Sequence, residues 1–277
     1  MEWEGNLRKL RIEAAGVGGP RELRYALAGK DVLEEMPSLL LNDCVGRELS
    51  ISFLGQIHCV STGKRISKAY GEGYSYDAWR RAPEQVESVI RPELSRIHEG
   101  IALRDWDWEE ANHNQPHWVY ITQTSGIKVG VTRVASGESR WFDQGAILGC
   151  ALFEVPYRQL AGQIEVLLKA HMPDKTQWRT MLSDVTPNRE AMEATRAQVL
   201  AWLGAEFRTW ELPGSEMVEI RYPVEAFPQK LTSVSLDKVH HLEGRLVGWK
   251  GQYALFEDGR VLNFRSHAGY RVRIAWD

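Results

Sequence analysis

Apolar and polar positions alternate at both ends of the chain and repeat with helical spacing in its centre. Residues 6–13, 22–27 and 47–53 carry alternating or β-branched apolar side chains broken by glycine, a pattern that predicts strands. Phe53-Leu54-Gly55-Gln56 reads as the turn of a hairpin returning through Ile57, Cys59 and Val60. Over 61–116 periodicity fails, and glycine, proline, serine and scattered aromatics (Trp79, Trp106 and Trp108 among them) take over. An irregular stretch of that length inside a compact protein normally needs a metal or a functional reason.

From His117 the pattern resumes. Residues 118–122 and 127–132 form two short β-rich runs joined through Thr124-Ser125-Gly126, and a helical stretch over 138–145 and a strand over 146–153 follow. Pro156 opens a helix in which Leu160, Ile164, Leu167, Leu168 and His171 share a face. The Thr186-Pro187-Asn188 cap starts another, with Met192, Thr195, Val199, Trp202 and Leu203 on one side and Gly204 near its end. Asp258-Gly259, set between 253–256 and 261–264, is the strongest hairpin signal in the chain. Beyond it Val272, Ile274 and Trp276 alternate with Arg271 and Arg273. β structure at both ends around a mixed centre predicts that the termini share one small sheet or barrel.

Composition narrows the class without naming an activity. The 277 residues are 43% hydrophobic and 26% charged, values of an ordinary globular chain. The longest apolar runs fall far short of the ~20 residues a membrane span requires, and residues 1–25 have no apolar core of signal-peptide length. Three cysteines, Cys44, Cys59 and Cys150, cannot build a disulfide framework and fit a reducing cytoplasm. The net charge of −3 argues against a protein coated in nucleic acid. Mildly basic segments alternate with acidic ones, which permits a local phosphate-binding face.

The centre holds the candidate chemistry. Val119-Tyr120-Ile121, then Lys128-Val129-Gly130 followed by Val131-Thr132, then Arg140, then Glu165 within a helix, resemble the core of the GIY-YIG nucleases over roughly 117–182. The resemblance implies a hairpin presenting a tyrosine and a lysine, a helix supplying an arginine, and a later helix whose glutamate holds magnesium. Such a site is chemically coherent. A phenol with a pKa of about 10 becomes a base near neutrality only when a cation favours the phenolate, and Lys128 would supply that cation. Arg140 would neutralise charge on a scissile phosphate, a role whose loss typically costs about 10²–10³ in rate. Glu165 would bind one magnesium ion, with water and phosphate as its remaining ligands. Each residue also has a plainer role: Tyr120 as core filling, Arg140 as a surface charge challenged by Arg133, and Glu165 as the i,i+4 partner of Lys169, worth a few tenths of a kcal/mol.

A wider resemblance spans nearly the whole chain. Asn6-Leu7-Arg8-Lys9, Leu41-Asn42, Gly63-Lys64, Gly71-Glu72-Gly73-Tyr74 and Gln115-Pro116-His117 are similar to an uncharacterised bacterial family. The likeness continues in residues 126–133, Arg140-Trp141-Phe142-Asp143-Gln144-Gly145-Ala146, residues 174–182 and Lys250-Gly251-Gln252-Tyr253. That family is the domain of unknown function numbered twenty-seven ninety-seven. It implies cysteine pairs in the irregular middle, of the kind that suits tetrahedral zinc. Here Cys59 remains. Thr62, Ser75 and Ala78 stand at its partner positions, Gln85, Ser88, Ser95 and Ala102 at the later ones, and His113 at the cysteine before the Pro116-His117 pair. No zinc is expected. Tyr70, Tyr74, Tyr76 and Trp79, with Trp106 and Trp108, would provide a replacement core.

Weaker signals complete the reading. Asp105, Asp107, Glu109 and Glu110 could form a glycosidase pair or a calcium loop but lack the loop's glycine, and a solvated acidic face is the simpler account. His240 and His241 would point to opposite faces of a strand. Gly16–Gly19 has no lysine and no following apolar helix, so it is no phosphate loop. The expected fold is α+β. A β-rich part over 1–60 packs with another over 216–277, a degenerate zinc-ribbon-like insert covers 61–116, a GIY-YIG-like α/β core covers 117–185, and a helix with its linker covers 186–215. The expected function is a magnesium-dependent phosphodiesterase on DNA or RNA with Tyr120, Lys128, Arg140 and Glu165 at its centre. The alternative is a catalytically silent nucleic-acid-binding module, in which Arg133 and the terminal-strand residues Lys250, Arg260, Arg265, Arg271 and Arg273, interleaved with Tyr253, Phe264 and Tyr270, would line a stacking groove. A pure protein-interaction scaffold is the third possibility.

Overall fold

The computed structural model describes residues 1–16 and 19–277, so Val17 and Gly18 of the Gly16–Gly19 stretch lie outside the described residues. It is an α+β protein in two compact units. One unit comprises Met1–Arg81, Leu182–Asp184 and Arg221–Asp277, and the other comprises Ala82–Met181 and Val185–Ile220. Among the described residues no helix is long and apolar enough to cross a membrane.

The first unit is built on a sheet that draws on both chain ends. Its strands run in the order Glu2–Asn6, Tyr270–Trp276, Glu48–His58, His241–Lys250, Tyr253–Phe256, Arg260–Asn263 and Thr232–Val234. All neighbours are antiparallel except the last pair. The period-2 pattern explains the pairing: Val272, Ile274 and Trp276 are buried together, while Arg273 points to solvent. Trp249 stacks on Tyr25 and meets Phe264 edge-on, and its indole N–H donates to the Leu41 carbonyl at 2.9 Å, so this large buried ring leaves no donor unmet. Phe256 and Arg260 flank the Asp258-Gly259 turn, where Gly259 takes the positive φ of 87° that the turn demands.

The hairpin expected at Phe53–Gln56 is not formed. Glu48–His58 is one strand, and its partner Tyr270–Trp276 passes from Tyr270↔Ile57 to Val272↔Phe53. The extra residues form a bulge in which Gly55 adopts φ 72°. The glycine that suggested a turn instead bends a continuous strand.

The stretch 61–116 is more ordered than its composition suggests. Helices Tyr76–Arg81 and Trp106–His113 flank four 3-10 turns, two of them opened by Pro83 and Pro92 at the position where a missing N–H costs nothing. Asp105 caps the Trp106–His113 helix by accepting from the Trp108 N–H at 2.9 Å. Glu109, read as part of a solvated acidic face, is fully buried and accepts from the backbone N–H groups of Leu103, Arg104 and Asp105. It closes the loop ahead of its own helix.

In the second unit His117–Gln123 lies between Ile127–Arg133 and Leu148–Val155, all antiparallel. Helices Arg158–Lys169 and Arg189–Trp202 cover this sheet through Leu160, Ile164, Leu168, Met192 and Val199. The second helix starts at Asn188, whose side chain accepts from the Ala191 N–H at 2.9 Å. Arg158 ties the 3-10 turns to the first helix. It is buried and donates to the carbonyls of Ser88 at 2.7 Å and Val89 at 2.8 Å. Four residues on, a Cβ at Gly162 would lie 2.2 Å from the Glu93 backbone nitrogen, so the turns and the helix approach to backbone contact.

Candidate functional site

Tyr120 pairs with Gly130 across the central hairpin, and Lys128 pairs with Thr122. Positions 128 and 130 share a face of one strand, as do 120 and 122 of the other, so the phenol and the ammonium rise on the same side of the sheet. They end on the same atom. Gln144 Oε1 accepts from Lys128 Nζ at 2.7 Å and from the Tyr120 hydroxyl at 3.4 Å. Gln144 is placed by the short helix Ser139–Asp143, which it terminates. Trp141 of that helix packs on Tyr120 with ring centroids 5.7 Å apart, over Gly149, where a Cβ would strike the indole at 2.5 Å.

The same helix carries Arg140, half-buried and within electrostatic reach of both Tyr120 and Lys128. Glu165 comes from the buried side of Arg158–Lys169 and acts on the same two groups. The four residues expected at a common site therefore converge. Arg133 does not join them: it donates to Asn112 Oδ1.

Burial dominates the electrostatics. It pushes the Tyr120 phenol above its ordinary value, against the weaker pull of Arg140 and Gln144. Lys128 is drawn down to about 8, by burial first and by the positive charge of Arg140 second. Burial raises the Glu165 carboxyl, and Lys169 and Arg158 oppose it. The expectation that Lys128 would turn Tyr120 into a phenolate is thereby reversed: the phenol stays protonated near neutrality, and the lysine is the group that can lose a proton.

The i,i+4 pairing of Lys169 with Glu165 was expected from the sequence, whereas Gln144 and Asp174 were missed as members of this cluster. Lys169 Nζ bridges Glu165 Oε2 at 3.1 Å and Asp174 Oδ2 at 3.4 Å. Gln144 lies inside the Arg140–Ala146 string that carried the family resemblance, but nothing in its spacing marked it as a shared acceptor. Glu165 fits magnesium as a single-carboxylate ligand, since that ion takes few protein ligands and keeps water and phosphate oxygens, provided Lys169 swings away from Oε2. Among the described residues no group of three or more His, Cys, Asp or Glu side chains is placed to hold a metal ion.

The expected cysteine positions fall into two polar clusters. Ser88, Ser95 and His113 are gathered and buried, with both hydroxyls directed at His113 Nδ1, at 3.4 and 3.5 Å. Burial, followed by the charge of Arg158, lowers His113 to about 3. At Cys59 the sulfur accepts from the Ser75 N–H at 3.2 Å and lies 3.5 Å from the Ser61 hydroxyl. Burial alone would raise this thiol, but the hydrogen bonds of Ser61, Thr62 and Ser75 together bring it down to about 6.

The terminal strands do not offer the expected basic groove. Lys250 is 1% exposed, lodged over the rings of Phe227 and Tyr222, and burial lowers it to about 8. Arg265 pairs with Glu72, Arg271 with Glu4 and Asp31, Arg273 with Glu2 and Glu4, and Arg260 with Asp258. Phe264 and Tyr270 are buried. Local carboxylates neutralise these arginines.

The family model described as a protein of unknown function, DUF2797, matches residues 46–272, and the chain belongs to that family. Searches of curated proteins and of solved structures give no match.

Proposed function

We propose that the protein is a GIY-YIG-like phosphodiesterase acting on DNA or RNA in the reducing environment of the cytoplasm. The observation that carries this reading is the meeting of Lys128 and Tyr120 on Gln144 Oε1, with Arg140 and Glu165 acting on both. Lys128, with a pKa of about 8, takes the proton of an attacking water as the new P–O bond forms and the ester P–O bond opposite it breaks, the departing alkoxide taking its proton from solvent. Tyr120 and Gln144 hold that lysine and the water in line, and Arg140 neutralises the charge that builds on the phosphate. Glu165 is the residue that would hold magnesium, which supplies electrophilic polarisation of a phosphate oxygen. The test is hydrolysis of labelled single- and double-stranded DNA and RNA with magnesium. Arg140→Gln and Lys128→Met should each lower the rate by about 10²–10³, and equal rates in wild type and both variants would refute the assignment.

A second reading has its own support. The salt bridge from Lys169 occupies Glu165, which favours a module that binds nucleic acid without cutting it. Salt-sensitive binding without cleavage, weakened by Arg140→Gln, would select it.

A further inference from the structure

Tyr70, Tyr76 and Trp79 were expected to replace zinc as core. They pack on one another, Tyr70 and Trp79 partly buried and Tyr76 exposed. Their ring centroids lie 5.2 Å (Tyr70 to Tyr76), 6.4 Å (Tyr70 to Trp79) and 6.3 Å (Tyr76 to Trp79) apart. The helix Tyr76–Arg81 that carries two of them buries none of its residues, and Tyr76 is 50% exposed. Tyr70 is presented by a tight loop in which it and Tyr74 exchange both backbone hydrogen bonds at 2.9 Å. Cations border the rings: Lys68 Nζ lies 5.2 Å from the Tyr70 centroid, and the Arg80 guanidinium 5.8 Å from that of Tyr76.

We propose that Tyr70, Tyr76 and Trp79, bordered by Lys68 and Arg80, form a stacking surface for the bases of single-stranded nucleic acid. The proposal rests on the nucleic-acid reading above and adds a binding surface distinct from the Tyr120 cluster. A ring cluster that reaches solvent through Tyr76 offers an apolar face of the kind that marks binding surfaces, and every base offers a π face to such rings. Charge supports this occupant. Residues 61–81 carry Lys64, Arg65, Lys68, Arg80 and Arg81 against Glu72 and Asp77, and Glu72 is engaged by Arg265. A phosphate backbone beside the rings thus meets a basic margin.

The experiment is fluorescence anisotropy of labelled oligothymidylate with the full chain at low salt. Tyr76→Ser and Trp79→Ala should each weaken binding by about tenfold, in keeping with the loss of one stacked base. Trp79→Phe, which keeps a flat ring, should bind nearly as wild type, and the exposed position of Tyr76 should leave the Tyr76→Ser melting temperature unchanged. Wild-type affinity in both Tyr76→Ser and Trp79→Ala would overturn the stacking surface while leaving the proposed function standing. Cleavage of duplex without binding of the oligothymidylate would do the same. Absence of both binding and cleavage on every nucleic acid would remove the two proposals together.

Discussion

Gly130 lies directly beneath the Tyr120 ring, so close that a Cβ on it would stand 2.5 Å from the phenolic oxygen and 2.6 Å from the carbon that bears it. The glycine of the Lys128-Val129-Gly130 string is therefore a steric requirement of the tyrosine opposite, and the two belong to one device that holds the hydroxyl toward Gln144.

Gly130→Ala should accordingly force the ring off its site. The expected cost is about 1–3 kcal/mol of stability, typical of overpacking a tight interior, together with loss of any hydrolytic activity. Denaturant melts measure the first, and Tyr120→Leu added to Gly130→Ala should recover part of it. A Gly130→Ala protein as stable and active as wild type would show that the ring has room to move.

The sequence disclosed the central hairpin, its two covering helices and the Asp258-Gly259 turn because each rests on local signals: periodicity, caps and turn residues. It also placed Tyr120, Lys128, Arg140 and Glu165 on the right elements, through a family pattern. The Glu165–Lys169 pair was legible as well, from its i,i+4 spacing. Gln144 and Asp174 stayed hidden, because their role comes from side chains meeting across elements. Gly55 misled because a positive φ serves a bulge as well as a turn. Lys250 misled for a related reason: alternation predicts which residues share a face but not that Phe227 and Tyr222 cover it.

Lys169 holds Glu165 in an ion pair, so Lys169→Met should free the carboxylate for a divalent ion. Titration calorimetry should show magnesium binding strengthened by about tenfold, the factor that ~1.4 kcal/mol represents, and Glu165→Gln should abolish the gain. Unchanged affinity in Lys169→Met would exclude Glu165 as the ligand.

Two buried histidines make the second unit acid-sensitive. His113 is lowered to about 3 and His117 to about 4, mainly by burial and also by the charge of Arg158, from an unfolded value of 6.5. Between those values the unfolded chain binds protons that the folded chain refuses, so stability falls as pH drops below about 6.5. At about 1.4 kcal/mol per unit for each group, the loss between pH 7 and 4.5 should reach roughly 4–5 kcal/mol. His113→Gln should remove about half of that dependence in melts across the range, whereas a slope identical to wild type would mean that His113 is protonated in the folded protein.

A structural zinc ion takes four ligands, soft thiolates foremost, and around Cys59 three of the four family positions hold Thr62, Ser75 and Ala78. Purified protein should contain less than one zinc per chain, and a chelator should leave its melting temperature unchanged. The surrounding backbone nevertheless keeps a thiolate-binding shape: the Ser75 N–H still donates to Cys59 Sγ, the Ala78 N–H is 3.3 Å from Ser75 Oγ, and the Ser61 hydroxyl lies 3.5 Å from Cys59 Sγ. Restoring Thr62→Cys, Ser75→Cys and Ala78→Cys together should therefore create a site that takes up one zinc. The variant's melting temperature should then rise with the metal and fall back with chelator, because a metal that binds only the folded chain adds its binding free energy to stability. Tightly bound zinc in the wild type would overturn the first expectation. A triple variant that folds but takes up no zinc would overturn the second, and would mean that the loop around Cys59 has lost its geometry along with its ligands.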